Sequence, residues 1–256
     1  MTAVIAVTGK GGTGKTTISA LIIRHLVQKG IRPVLAVDAD SNANLNMALG
    51  VHLDKTVGDL REHLSERVSK QQLPAGMSKQ EILEMEIEQA MVETRDFDLL
   101  AMGRPEGRGC YCAINNMLRT FLDGITDRYR YVVIDNEAGM EHLSRRTTRE
   151  VSAMFVVSDP SRRGLETAAR IRSLAEEMAI GVDDYWLVVS RLRGEMTASL
   201  EEGAAATGME LAGIVPDDPE VARLDGEGTP LIRLPVDSSS YVAVRSIMDR
   251  ALQGVS

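Results

Sequence analysis

The stretch Val7-Thr8-Gly9-Lys10-Gly11-Gly12-Thr13-Gly14-Lys15-Thr16-Thr17 decides the fold. From Gly9 to Thr16 it fits G-x-x-x-x-G-K-[ST], a glycine-rich loop that wraps phosphate groups. Its setting suits the pattern: Ala3 to Val7 is a short apolar run of strand type, and helical periodicity follows from Thr16. Gly11, Gly12 and Gly14 let the backbone turn tightly, so that its N–H groups point inward at phosphate oxygens. The next helix adds the positive end of its dipole. Gly11, Gly12, Thr13, Gly14, Lys15, Thr16 and Thr17 are therefore the expected nucleotide-binding segment. Lys15 is expected to reach the β- and γ-phosphates, and the Thr16 hydroxyl to sit on Mg2+. A glycine-rich turn without a ligand is the bland alternative. The lysine, the threonine and both flanking elements weigh against it.

Outward from the loop, apolar strand-type runs recur at Ile31 to Val37, Phe97 to Met102, Tyr131 to Ile134, Ala153 to Val157, Trp186 to Val189 and Leu211 to Val215. Helical patterns separate them, which predicts an α/β fold: a doubly wound, mostly parallel sheet of about seven strands with helices on both faces. Ligand then lies at the carboxyl ends of the strands. The 256 residues, 44% apolar, suit one domain over 1–256. Residues 52–96 read as a variable, partly helical insertion, with an acidic helix from Ser78 to about Glu93 that carries Ile82, Met85 and Ile87. A helix from Arg162 to Met178 is expected to bury Ile171, Leu174, Ala175 and Met178. The net charge of −8 argues against a nucleic-acid surface. No run of eighteen apolar residues suggests a membrane span, and the final helix lacks a basic amphipathic face. The N-terminus enters a strand at once, and two cysteines make no disulfide framework. These features point to the cytoplasm.

Three further places carry chemistry. The second strand runs into Asp38-Ala39-Asp40-Ser41-Asn42. Carboxylates there are where Mg2+ and an attacking water belong. An aspartate N-cap at a loop opening is the alternative. The fourth strand closes on Asp135, the Walker B pattern, which reaches Mg2+ through water. Just beyond, Gly139 would let a backbone N–H approach the γ-phosphate, so that this loop senses hydrolysis as switch II. Third, both cysteines sit together as Cys110-Tyr111-Cys112. Arg108 upstream and a helix start downstream favour thiolate, the metal-binding form. One chain offers two sulfurs where a closed soft-metal site takes four, and a symmetric dimer supplies Cys110 and Cys112 twice. Zn2+ would sit tetrahedrally there, and Ni2+ square-planar. Free core cysteines and a strained redox pair are the alternatives.

The pattern K-G-G-x-G-K-T-T from Lys10 to Thr17 resembles the deviant Walker A motif of the MinD/ParA/nitrogenase-iron-protein family of ATPases. The resemblance implies that Lys10 crosses a dimer interface and stabilises charge on the partner subunit's transferring phosphoryl group, as an arginine finger does. It also makes Asp38-Ala39-Asp40 switch I, with Asp40 positioning the hydrolytic water and Asp38 holding the Mg2+ hydration shell. Pro216 and Asp217 would pack on the nucleotide base, unless they form an ordinary proline turn. Where the family has an asparagine that reads the adenine edge, this chain has Ser190.

Met102 to Cys112, M-G-R-P-E-G-R-G-C-Y-C, and Asp135 to Arg145, D-N-E-A-G-M-E-H-L-S-R, narrow the resemblance. Together they are similar to the nickel-inserting ATPases of carbon monoxide dehydrogenase maturation, the CooC type. That implies an ATP-dependent homodimer with one Ni2+ or Zn2+ between its subunits on Cys110 and Cys112. Its client would be apo carbon monoxide dehydrogenase, with no role for nucleic acid or membrane. An iron–sulfur electron-transfer ATPase is a second reading, but its cluster cysteines lie tens of residues apart on separate loops, which this sequence lacks. A positioning ATPase acting on DNA or membrane is a third, which neither the acidic balance nor the final helix supports.

Overall fold

In the computed structural model, β1 (Ala3–Gly9) is buried at every position and occupies an inner place in the sheet. The structure describes residues 2–69, 76, 79–103, 124–137 and 151–252. After β1 come α1 (Lys15–Gln28), β2 (Val34–Ala39), α2 (Leu45–Leu49), α3 (Val57–Ser69), α4 (Lys79–Ala90), β3 (Val92–Glu93), β4 (Asp98–Ala101) and β5 (Tyr131–Asn136). Then follow β6 (Val151–Ser158), α5 (Arg162–Glu177), β7 (Val182–Leu192), α6 (Ala198–Ala206), β8 (Glu210–Pro216), α7 (Pro219–Gly226) and α8 (Ser239–Ala251). The strands form one sheet in the order β3-β4-β2-β5-β1-β6-β7-β8. Every neighbouring pair is parallel except β3 with β4.

Alternation along β1 shows why helices cover both faces. Val4 and Ala6 enter one core cluster, with Leu60 of α3, Ile87 of α4, Ile171 of α5 and Leu200 of α6. Ala3, Ile5 and Val7 enter the other, with Leu21 and Ile22 of α1, Leu49 of α2 and Ile247 of α8. Such period-2 division is what a strand covered on both sides requires.

The expected doubly wound parallel sheet is present, with eight strands among the described residues instead of about seven. The added strand is β3, where Val92 lies opposite Leu99. Two residues carry no alternation to read, so the sequence ran one helix through to Glu93, whereas α4 stops at Ala90. β2 starts later than expected, at Val34, and runs to Ala39, so Asp38 lies within the strand. Leu174 is 43% exposed, against expectation. Leu165, Ala168, Ile171 and Ala175 set the buried stripe of α5, and Leu174 lies roughly 100° around the helix from its centre. Met85, on α4, is likewise exposed.

Candidate functional site

Gly9 ends β1 opposite Val157 of β6. A Cβ there would stand 2.2 Å from the Val157 carbonyl oxygen, and the backbone has φ of +151°. Only glycine fits between these strands as the chain enters the loop. Beyond it the loop closes on one carbonyl: Thr13 Oγ1 donates to Lys10 O at 2.8 Å, and Lys15 Nζ donates to it at 3.3 Å. Thr13 and Lys15 are buried, while Lys10 is exposed. α1 then begins with Gly14 as its N-cap. Among the described residues no side chain caps it, and its first turn has no acidic residue. The uncapped N–H groups and the positive helix end therefore favour an anion at this point.

Pairing of β2 with β5 puts Asp38 opposite Asp135. Their exposures are 0% and 1%. Asp38 Oδ1 accepts from Asp40 N at 3.1 Å, and Oδ2 accepts from Leu45 N, at the start of α2, at 2.8 Å. Asp135 Oδ1 accepts from Ser19 Oγ at 3.1 Å, and its Oδ2 has no hydrogen-bond partner among the described residues. Burial pushes the Asp38 carboxyl up to about 7, although the Leu45 amide pulls it back; the Asp135 charge adds to the rise. Burial likewise pushes Asp135 up to about 6, opposed by the Thr16 and Ser19 hydroxyls and the Lys15 charge. Asp40 is half-buried. Its Oδ1 accepts from Asn42 N at 2.8 Å and from Asn42 Nδ2 at 3.0 Å. Neither aspartate is the N-cap of α2, which is Asn44; beside the phosphate loop Asp38 instead ties down the first residue of that helix and Asp40 a turn.

These features fit a divalent cation. A buried carboxylate oxygen lacks a partner, two buried acids resist ionisation, and Thr16 faces one of them. Among the described residues no three His, Cys, Asp or Glu side chains converge as a ligand set. A small hard cation bound here would keep water and phosphate oxygens as ligands.

The loop forms one wall of a cleft of about 670 Å³, which Asp40, Ser190, Arg191, Pro216 and Asp217 also line. The structure therefore brings the loop, Asp40 and the Pro216–Asp217 turn to one space. Asp217 Oδ2 accepts from Arg193 Nε at 2.6 Å. Asp218 caps α7 and joins it to α8, accepting from Glu220 N at 3.0 Å and Ser240 N at 2.9 Å. Ser190 Oγ faces main chain, at 2.6 Å from Thr13 O and 3.2 Å from Ser158 O. A hydroxyl has a single proton to give, so Ser190 supports the loop. Cys110, Cys112 and Gly139 lie outside the described residues.

Three supports were missed in the sequence. Ser19 was legible in principle, three residues after Thr16 on the same helix face. Ser190 and Arg191 were not, because their partners Thr13 and Gly12 are 177 and 179 positions away.

A phosphate loop at the carboxyl end of an inner parallel strand, with an acid closing the next strand, defines a P-loop nucleotide-binding protein. More narrowly, the chain belongs to the CbiA family, described as the CobQ/CobB/MinD/ParA nucleotide binding domain, whose model matches residues 4–231. It is an ATPase, as the loop motif implied. It is 45% identical over 249 residues to an uncharacterised ATP-binding protein of Methanocaldococcus jannaschii, covering 97% of this chain and 98% of the relative. It is 33% identical over 236 residues to the carbon monoxide dehydrogenase accessory protein CooC of Rhodospirillum rubrum, covering 88% and 87% respectively. Among solved structures, the septum site-determining protein MinD of Pyrococcus horikoshii, complexed with Mg-ADP, shares the fold. It aligns with a TM-score of 0.71 at 21% identity, over 100% of this chain and 98% of that one. No helix among the described residues is long and apolar enough to cross a membrane.

Proposed function

We propose that this ATPase is a homodimeric metallochaperone that delivers nickel to apo carbon monoxide dehydrogenase in the cytoplasm. The observation that carries this reading is the Cys110-Tyr111-Cys112 pair, in a chain 33% identical over most of its length to a carbon monoxide dehydrogenase accessory protein. Lys15 and the N–H groups of Gly11 to Thr17 hold the polyphosphate. Lys10, whose side chain is exposed, extends to the nucleotide of the partner subunit. Thr16 and Asp135 hold Mg2+, with Asp38 on its water shell; when bound, the ion neutralises charge on the phosphates. Asp40 orients the hydrolytic water, and Gly139 reports the γ-phosphate. Pro216 and Asp217 flank the base.

Cys110 and Cys112 of the two subunits together hold one Ni2+ as cargo, with Zn2+ as the competing ion. Nucleotide-driven closure changes their spacing. Delivery then requires that the metal bind with different affinity in different nucleotide states.

The test is anaerobic nickel competition against a chelator, without nucleotide, with ADP and with ATP. The expected result is one nickel per two chains, with affinities that differ by about tenfold between ADP and ATP. Cys110→Ala/Cys112→Ala abolishes binding. Equal affinity in all three states would remove the coupling. A brown protein with a reducible iron–sulfur spectrum would favour electron transfer instead.

A further inference from the structure

β7 and β8 lose register between Ser190 and Leu192. Within that irregularity Arg191 has φ of +58°, a left-handed backbone that residues with a Cβ avoid unless their surroundings enforce it. In a regular strand, Ser190 and Arg191 would point to opposite faces. Here both reach the phosphate loop: Ser190 Oγ lies 2.6 Å from Thr13 O, and Arg191 Nη1 lies 2.9 Å from Gly12 O. Two successive side chains hold two successive carbonyls. Bulges beside active sites re-aim side chains in this way.

Holding a carbonyl also fixes the N–H across its planar trans peptide, which points the opposite way. The Gly12 carbonyl sets the Thr13 N–H, which closes on Lys10 O at 3.4 Å. The Thr13 carbonyl sets the N–H of Gly14, the N-cap of α1. The bulge thus controls the peptide planes that lead into the anion-favouring end of α1.

We infer that Ser190 and Arg191 are positioning residues that clamp the phosphate loop into its polyphosphate-binding shape, whatever base the ligand carries. The inference rests on reading the cleft as the nucleotide site. Held by Ser190 and Arg191, the Gly12 and Thr13 carbonyl oxygens are tied to side-chain donors and are kept from turning onto phosphate oxygens, which they would repel. Loss of either contact frees a peptide to rotate, so binding weakens through the shape of the loop.

The experiment is calorimetric titration of the full chain with Mg·ADP and, separately, with inorganic pyrophosphate. The proteins are native, Ser190→Ala, Arg191→Gly and Arg191→Lys. Arg191→Gly removes the guanidinium while keeping the left-handed backbone free of strain. Both truncations are expected to weaken the two ligands by the same factor, about tenfold. Arg191→Lys recovers part of the loss. The unliganded melting temperature of Arg191→Gly stays at the native value, which separates a clamp from a general structural role. Should Ser190→Ala fail to fold, Arg191→Gly decides alone. Native pyrophosphate affinity in the truncations overturns the clamp, as does a loss confined to ADP, which would mark a base contact. A native chain that binds neither ligand overturns the nucleotide-site reading and the clamp with it.

Discussion

Asp135→Asn is expected to make the metal-free protein more stable and its ATPase inactive. Asp135 is buried beside Asp38, with Oδ2 unpartnered among the described residues, and burial raises its carboxyl to about 6. Between about pH 4 and 6 the folded chain holds a proton that the unfolded chain has released. Its contribution to stability therefore falls as pH rises through that window, and above it a buried charge persists. Asparagine removes that charge and still offers Ser19 an oxygen acceptor. At pH 8 in a chelator, stability should rise by on the order of 2 kcal/mol. That is roughly 5 °C in melting temperature for a chain of this size. The gain should vanish near pH 4.

His25 acts in the other direction. Burial lowers its pKa, against the pull of the Asp249 charge, so its contribution is lost as pH falls through the ordinary histidine range. That behaviour is common to both proteins and cancels in their difference. With Mg·ATP the substituted enzyme should turn over on the order of 10²-fold more slowly or worse, since the Mg2+ role proposed for Asp135 is removed. Melts from pH 4 to 8 and a phosphate-release assay check both halves. A variant that is less stable at pH 8, or that hydrolyses ATP at the native rate, contradicts the account.

Gly9→Ala should cost more stability than any other alanine substitution in the phosphate loop. Its Cβ would lie 2.2 Å from the Val157 carbonyl oxygen and 3.2 Å from Thr13 Oγ1. The first contact is with backbone, so β1 and β6 must separate where they pair. The substituted residue must also hold a φ of +151°. Together these predict a loss of ~3 kcal/mol or more. Gly11→Ala is the control, since its Cβ would meet nothing within 4 Å among the described residues, and a change within ~1 kcal/mol is expected. Denaturant titration of both variants decides. Similar midpoints for the two would show that the β1–β6 approach at Gly9 relaxes freely.

The phosphate loop was legible because its chemistry is local: the glycines, Lys15 and Thr16 lie within one turn and need no distant partner to be identified. Asp135 was legible for the same reason, as an acid closing an apolar strand. What escaped depends on partners remote in the chain. Ser190 reads as a base-contact position just past its strand until Thr13 is folded against it. The bulge at Arg191 has no glycine to announce it. Residues 52–96 were opaque because charged neighbours hid their apolar contributions, yet Val57, Leu60, Ile82 and Ile87 enter the same core cluster as Leu35 and Leu100. Leu174 erred the other way: an apolar type at plausible spacing, but on the exposed side of α5.

The position of β1 shapes how this protein must be made. Its two flanking strands are β5 and β6, with Ala3 facing Tyr131 and Ile5 facing Ala153. During translation this wholly apolar-faced strand leaves the ribosome long before either neighbour exists, and its contacts are among the slow, non-local kind. A nascent chain stopped short of Tyr131 would carry Ile5 and Val7 as sticky, unpaired surface. The segment that ends by cradling phosphate is thus the one a growing polypeptide must keep shielded while the rest of its sheet is synthesised.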